Sequence, residues 1–293
     1  MDSTAARSAL DDLLARHPHE AAMVASILND LAITATALEP FSSQDKIVIF
    51  GSARITKSSP TYEAVRSLAR RFAADGFVIV TGGGPGVMSA GLEGAGSGNA
   101  LGIAIQLPFE SPAGIAGVPV VMQQRFFTRK LALVRRGRGF VILPGGFGTL
   151  DETFEVLTLL QTGKKSPCPV VLYDPTNSGF FDPLCSLVSH AATGGFISPD
   201  DSSLYSLAST EDEVVGEVHS FWSNYESFAL DGPHGSISTR RPVDPTHLAG
   251  LDVSFPQFAP FTLDPSKQRL SFRFERRNYG PLRRLINVVN STL

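Results

Sequence analysis

A doubly wound parallel α/β sheet is the fold class the sequence predicts, and three observations carry it. Short β-branched runs alternate with helical periods from about Lys46 to Tyr225, two of these runs end in glycine-rich turns, and each turn leads into an amphipathic stretch. The expected strands are IVIF ending at Phe50, FVIV ending at Val80, LGIAI ending at Ile105, VPVV ending at Val121, FVIL ending at Leu143 and VVLY ending at Tyr173. Between the first two, Tyr62, Val65, Leu68, Ala69 and Phe72 share one helical face, and Gly76 stops that helix. A second helix runs from Thr149, with Leu150, Phe154, Leu157 and Leu160 expected on the sheet and Gly163 at its end. Further helical patterns lie at Pro183–His190 and from about Glu211 to Phe228.

Two flanking regions complete a three-part organisation, with expected domains at 1–44, 45–229 and 230–293. In the first, Leu10, Leu13, Leu14, Met23, Val24, Ile27, Leu28 and Leu31 recur at helical spacing, and His17-Pro18 breaks the pattern into two helices. Such helices are expected to cover a sheet edge or a dimer interface, with no catalytic role. After Leu230, DGPHGSISTRRPVDPTHLAG reads as a linker or surface loop. The strand-like LSFRFE and the amphipathic PLRRLINVVN then form a small appendage.

The chain of 293 residues is 43% hydrophobic and 18% charged, the composition of a globular protein with a full core. No stretch is expected to approach the ~20 apolar residues of a membrane span, and no secretory leader is visible, so the expected location is cytoplasmic. Two cysteines, Cys168 and Cys185, provide neither a disulfide framework nor a metal site, and no metal-ligand cluster stands out. A net charge of −3 argues against nucleic acid as the main partner, although the FRFERRNYGPLRR tail is locally basic.

The glycine turns carry the expected chemistry. FVIVTGGGPGVM and FVILPGGFGTLDE each place glycines between a strand and a helix start, where unpaired amides and the positive dipole end attract phosphate. Gly82, Gly83, Gly84, Gly145, Gly146, Gly148 and Thr149 are therefore candidate phosphate ligands, with Gly51 and Ser52 at the first strand's exit. Neither turn is a Walker A loop, and Val87 breaks the dinucleotide spacing. Thr149 and Glu152 also have the T-x-x-E spacing of a capping box, a purely structural role.

Together, FGSAR, GGGPGVM, FFTRK and PGGFGTLDE resemble the LOG ("lonely guy") proteins, whose older description is possible lysine decarboxylase. The pattern PGGxGTxxE is met from Pro144 to Glu152, and the resemblance covers roughly Lys46 to Phe228. It implies a Rossmann-like fold and a phosphoribohydrolase that cleaves a nucleoside 5′-monophosphate, of AMP or cytokinin riboside type, to free base and ribose 5-phosphate. By the same resemblance Arg129 and Glu152 form the catalytic pair. On chemical grounds Glu152 would stabilise the sugar cation or orient water, with Asp151 as a possible second carboxylate, and Arg129 would clamp phosphate or a ribose hydroxyl. Lys130 would add phosphate binding. No cofactor is implied, and a homo-oligomer, a dimer or larger, is expected. Ser89 departs from the acidic residue that many members carry after GGGPGxM, which bears on base preference. Molybdenum cofactor carriers share a similar fold and glycine loops, so a non-catalytic binding protein is the alternative.

Overall fold

The computed structural model describes residues 2–105, 114–264, 266 and 268–291. Two helices, α1 (Ser3–Arg16) and α2 (Ala21–Leu38), precede the sheet and are separated at His17-Pro18. The sheet domain then runs β1 (Lys46–Phe50), α3 (Pro60–Ala74), β2 (Val78–Thr81), α4 (Val87–Ala95), β3 (Ala100–Ile105) and β4 (Val120–Gln123). It continues with α5 (Phe126–Arg135), β5 (Gly137–Ile142), α6 (Phe147–Gln161), β6 (Val170–Tyr173), α7 (Asp182–Thr193), β7 (Ser206–Ala208) and α8 (Glu211–Phe221).

All seven strands are parallel, in the order β4-β3-β2-β1-β5-β6-β7. The chain winds outward from β1 to β4 and then restarts on the other side of β1 with β5. Winding therefore reverses between β1 and β5, and the crevice at their carboxyl ends is where such sheets bind ligands. Alternation along β1 sends Ile47 and Ile49 into one apolar layer with Val65, Leu68 and Phe72 of α3. Val48 and Phe50 enter the opposite layer with Phe140, Val156 and Leu160. The five strands expected to end at Phe50, Val80, Ile105, Leu143 and Tyr173 do end within a residue of those positions, while β5 begins three residues before FVIL and β4 two residues later than VPVV.

Four expectations need correction. The buried face of α6 is Thr149, Glu152, Thr153, Val156 and Leu160, whereas Leu150 and Leu157 are half-buried and Phe154 is exposed. Polar residues occupy the inner face because the start of this helix borders a cleft. In α2 the buried residues are Ser26, Asp30, Thr34 and Leu38, while Met23 and Leu28 lie exposed, so its polarity is inverted. The segment Pro18–Phe41 is also long and apolar enough, by length and composition, to cross a membrane, contrary to the expectation that no stretch approaches that limit.

The fourth correction concerns the C-terminal region. The helix expected to reach Phe228 stops at Phe221, and the supposed linker holds a hairpin of β8 (Tyr225–Asp231) and β9 (His234–Thr239). With α9 (Leu248–Ser254), β10 (Thr262–Asp264), β11 (Arg269–Arg273) and α10 (Tyr279–Ser291) these strands make a four-stranded antiparallel sheet in the order β10-β11-β9-β8. The domain boundary expected at 229/230 falls inside β8. Its core joins Ile237, Phe258, Leu270 and Phe272 to Leu282, Leu285 and Ile286 of α10. HGSIST carries only one large apolar residue, Ile237, so its strand character comes from pairing with β8 and β11 rather than from local pattern.

Candidate active site

A cleft of ≈ 810 Å³ opens at the carboxyl ends of β1 and β5. Gly51, Ser52 and Arg54 border it from the β1 exit, the segment from Gly145 to Glu152 forms a long wall, and Met88, Phe126, Arg129 and Phe180 close the remaining sides. A second cavity, of ≈ 720 Å³, lies among Lys46, Arg135, Arg136 and Lys165, where β1 and β5 begin.

The β5–α6 turn presents its amides to the cleft. Gly146 occupies the N-cap position without a side-chain cap, so the first amides of α6 lack an intrahelical partner. A Cβ added at Gly146 or Gly148 would meet nothing within 4 Å, so the fold itself does not demand glycine at either position. Bare backbone at these two sites serves close approach from the cleft side. Gly145 is different: a side chain there would collide with Thr149, which is buried and points back along the helix. Because α6 starts at Phe147, Thr149 and Glu152 both lie within the helix, and the capping-box reading is overturned.

Glu152 is 6% exposed, and its Oε2 has no hydrogen-bond partner among the described residues. Burial pushes its pKa up to about 7, while the opposing charges of Lys130, 3.8 Å away, and Arg129 pull it down. A buried carboxyl poised near neutrality beside open helix amides is suited to holding or moving a proton next to an anionic ligand. Arg129 projects from α5 to the same cleft; its Nε donates to the Ile103 carbonyl at 2.9 Å and its Nη2 to that of Gly82 at 3.3 Å.

The first glycine turn serves this arginine more than it serves the cleft. Gly82, Gly83 and Gly84 are buried and do not line the cavity, in contrast to the expectation that they cradle phosphate. A side chain at Gly82 would collide with the Arg129 guanidinium and with Met88, and Gly83, at φ +69°, packs against Val120 and Ala104. Lys130 is likewise absent from the cleft lining. It pairs with Asp151 at 2.8 Å and Glu155 at 2.7 Å; burial would lower its pKa, but these partners raise it above the ordinary lysine value. Its charge is thus held by carboxylates rather than offered to phosphate.

At the β1 exit the Ser52 amide donates to the Pro144 carbonyl at 3.2 Å, and the Ser52 Oγ accepts from the Arg54 amide at 3.1 Å. The Ser52 hydroxyl proton, not its amide, is what this residue can offer a ligand. A side chain at Gly51 would collide with Val87. Ser89 is buried, donates to the Gly86 carbonyl at 3.1 Å, lies 3.2 Å from the Tyr62 hydroxyl and does not reach the cleft. Sequence reasoning missed the apolar wall of Met88, Phe126 and Phe180, and it missed Asp30, Ser26 and Thr34. The only sequence signal for those three is the four-residue spacing of polar side chains in an otherwise apolar helix.

The family described as possible lysine decarboxylase matches residues 85–218, which include both Arg129 and Glu152. The cytokinin riboside 5′-monophosphate phosphoribohydrolase LOG of Oryza sativa subsp. japonica is 32% identical over 184 residues, covering 61% of this chain and 74% of the rice protein. The chain belongs to the LOG family. A second rice LOG protein, a probable cytokinin riboside 5′-monophosphate phosphoribohydrolase, is 27% identical over 208 residues, covering 68% of this chain and 89% of its own. Among solved structures, the molybdenum cofactor binding protein of Rippkaea orientalis aligns with a TM-score of 0.40 at 20% identity, over 59% of this chain and 94% of its own. These alignments cover 59–68% of this LOG-family chain.

Proposed function

We propose that this LOG-family protein is a phosphoribohydrolase: it cleaves the N-glycosidic bond of a nucleoside 5′-monophosphate, of AMP or cytokinin riboside monophosphate type, giving free base and ribose 5-phosphate. The observation that carries the reading is the buried Glu152 carboxyl lining the cleft, whose Oε2 accepts no hydrogen bond from the described residues, on the helix whose first amides open to the same space. Phosphate would bind at Gly146, Gly148 and Thr149, with the Ser52 hydroxyl and Arg129 as further donors. The apolar side chains of Phe126, Phe180 and Met88 suit a planar base.

The reaction develops positive charge at the anomeric carbon as the base departs with the electron pair of the broken bond. Ionised Glu152 would stabilise that charge and take a proton from the water that adds to the anomeric carbon, while the base acquires a proton at the nitrogen it frees. Because the carboxylate is the working form, kcat/KM is expected to rise with pH through an apparent pKa of about 7 in the free enzyme. Incubation with AMP, CMP, GMP, UMP and isopentenyladenosine monophosphate, followed by chromatography for free base, tests the reading; binding of a nucleotide with no base released from any of them contradicts it.

We further infer a homo-oligomer and a cytoplasmic location. Phe126, Phe127 and Leu131 of α5 are 58%, 52% and 45% exposed, an apolar surface suited to a second copy of the chain. Light scattering at micromolar concentration checks the first, with a monomer as the contrary result. The free thiols Cys168 and Cys185 are compatible with a reducing compartment.

A further inference from the structure

The inverted helix α2 holds the segment that leads into the arginine helix. Asp30 is fully buried, and its Oδ1 accepts from the Gln124 amide at 3.0 Å. Its Oδ2 accepts from the amides of Gln124 at 3.1 Å and Arg125 at 3.0 Å and from the Thr128 hydroxyl at 2.6 Å. One turn to either side, Ser26 Oγ accepts from Arg125 Nε at 2.9 Å, and Thr34 Oγ1 accepts from Gln123 Nε2 at 2.7 Å. Arg125 is the N-cap residue of α5 and makes no side-chain cap of its own, so the Asp30 carboxylate is the anion at the positive end of that helix.

Arg129 follows one residue after Thr128. Its guanidinium is threaded between the Ile103 and Gly82 carbonyls in a space that tolerates no side chain at Gly82. The start of α5 therefore sets where the guanidinium lies in the cleft, and α2 sets the start of α5. We propose that Asp30 is a positioning residue for Arg129: the N-terminal helices serve the site by locking the β4–α5 junction. The nature of the ligand rests on the phosphoribohydrolase reading; the coupling of Asp30 to Arg129 does not.

Two measurements on the full chain test this, using Asp30→Asn, which keeps the side-chain volume, and Thr128→Val, which removes one donor and leaves Asp30 in place. In hydrogen-exchange mass spectrometry, both variants are expected to lose protection in peptides covering 124–131 while β1 and β5 keep theirs. Unchanged exchange in 124–131, or a loss spread evenly over the molecule, overturns the proposal. In the second measurement, ribose 5-phosphate affinity is followed by calorimetry for Asp30→Asn, Arg129→Ala and the double variant. Asp30→Asn is expected to weaken binding about tenfold or more, and the double variant to bind no worse than Arg129→Ala alone. Independent, additive losses would show that Asp30 acts elsewhere and overturn the coupling. Wild-type protein that binds no ribose 5-phosphate would refute the ligand reading, and the exchange result would then decide the role of Asp30 by itself.

Discussion

At the scale of single residues, Glu152 is a site where stability and activity oppose each other. Its pKa, lifted from 4.5 to about 7 by burial, means that the folded protein binds a proton the unfolded chain has released. Stability attributable to this group is therefore highest below pH 4.5 and falls as pH rises to about 7, by on the order of 3 kcal/mol, then stays level. Glu152→Gln removes the charge without changing the shape. The variant is expected to melt higher than wild type at pH 8, with the difference shrinking toward pH 5, while turnover drops by at least about 100-fold. Differential scanning calorimetry at the two pH values checks the first part; a lower melting temperature at pH 8 would mean that the carboxylate stabilises the fold. The resemblance to LOG proteins singled out Glu152 and Arg129 in the sequence, and both line the cleft. The perturbed pKa was not legible there, because it depends on burial by residues distant in the chain.

The glycines divide at the same scale. Gly146 has φ −85° and open space around its missing side chain, so Gly146→Val is expected to fold with a melting temperature near that of wild type. It should nonetheless lose phosphate-bearing ligands by about tenfold or more, because the branched side chain blocks approach to the α6 amides. Gly145→Ala, by contrast, collides with Thr149 and should lower the melting temperature. Calorimetry with AMP and with adenosine separates these outcomes: equal loss for the nucleoside would remove the phosphate from the account.

At the scale of elements, short β-branched runs alternating with helical periods located most of the sheet, since β1, β2, β3, β5 and β6 are mostly apolar and buried on both faces. The same logic failed where a helix borders something other than the core. In α6 the inner face starts with Thr149, Glu152 and Thr153 before reaching Val156 and Leu160, and in α2 it is Ser26, Asp30, Thr34 and Leu38, so apolar periodicity marks the core side only toward the end of each. Polar residues recurring at helical spacing mark the cleft side of one and the clasp of the other. The first glycine turn is ambiguous for a related reason: a glycine that admits a neighbouring guanidinium, as Gly82 does, and one that admits a phosphate have the same letter.

At the scale of the whole molecule, the C-terminal sheet is built into the fold. Asn290, near the end of α10, accepts from the amides of Asn224 at 3.1 Å and Tyr225 at 2.7 Å and donates to the Phe221 carbonyl at 2.7 Å. It thereby bridges α8 to β8. Gly280 lets α10 meet the turn at Asp200, where a Cβ would lie 2.5 Å from a carbonyl oxygen, and Tyr279 fills the space beside Gly163 at the end of α6. Asn290→Ala strands buried backbone groups and is expected to cost about 1–3 kcal/mol, read from denaturant unfolding, with base release unchanged under folding conditions. A variant as stable as wild type would show that the bridge contributes nothing. Little of this was legible in HGSIST or YESFALD, whose strands are fixed by partners up to the far end of the chain.

In the function proposed, the cleft at the β1–β5 crevice breaks a glycosidic bond through Glu152 while the helix amides hold the phosphate. Single-turnover base release from AMP, with enzyme in excess, tests it most directly for wild type beside Glu152→Gln. The account predicts stoichiometric free base and ribose 5-phosphate from wild type, with the variant binding AMP as tightly or more tightly and releasing almost none. Recovery of intact AMP from both proteins, or equal release by both, would contradict it.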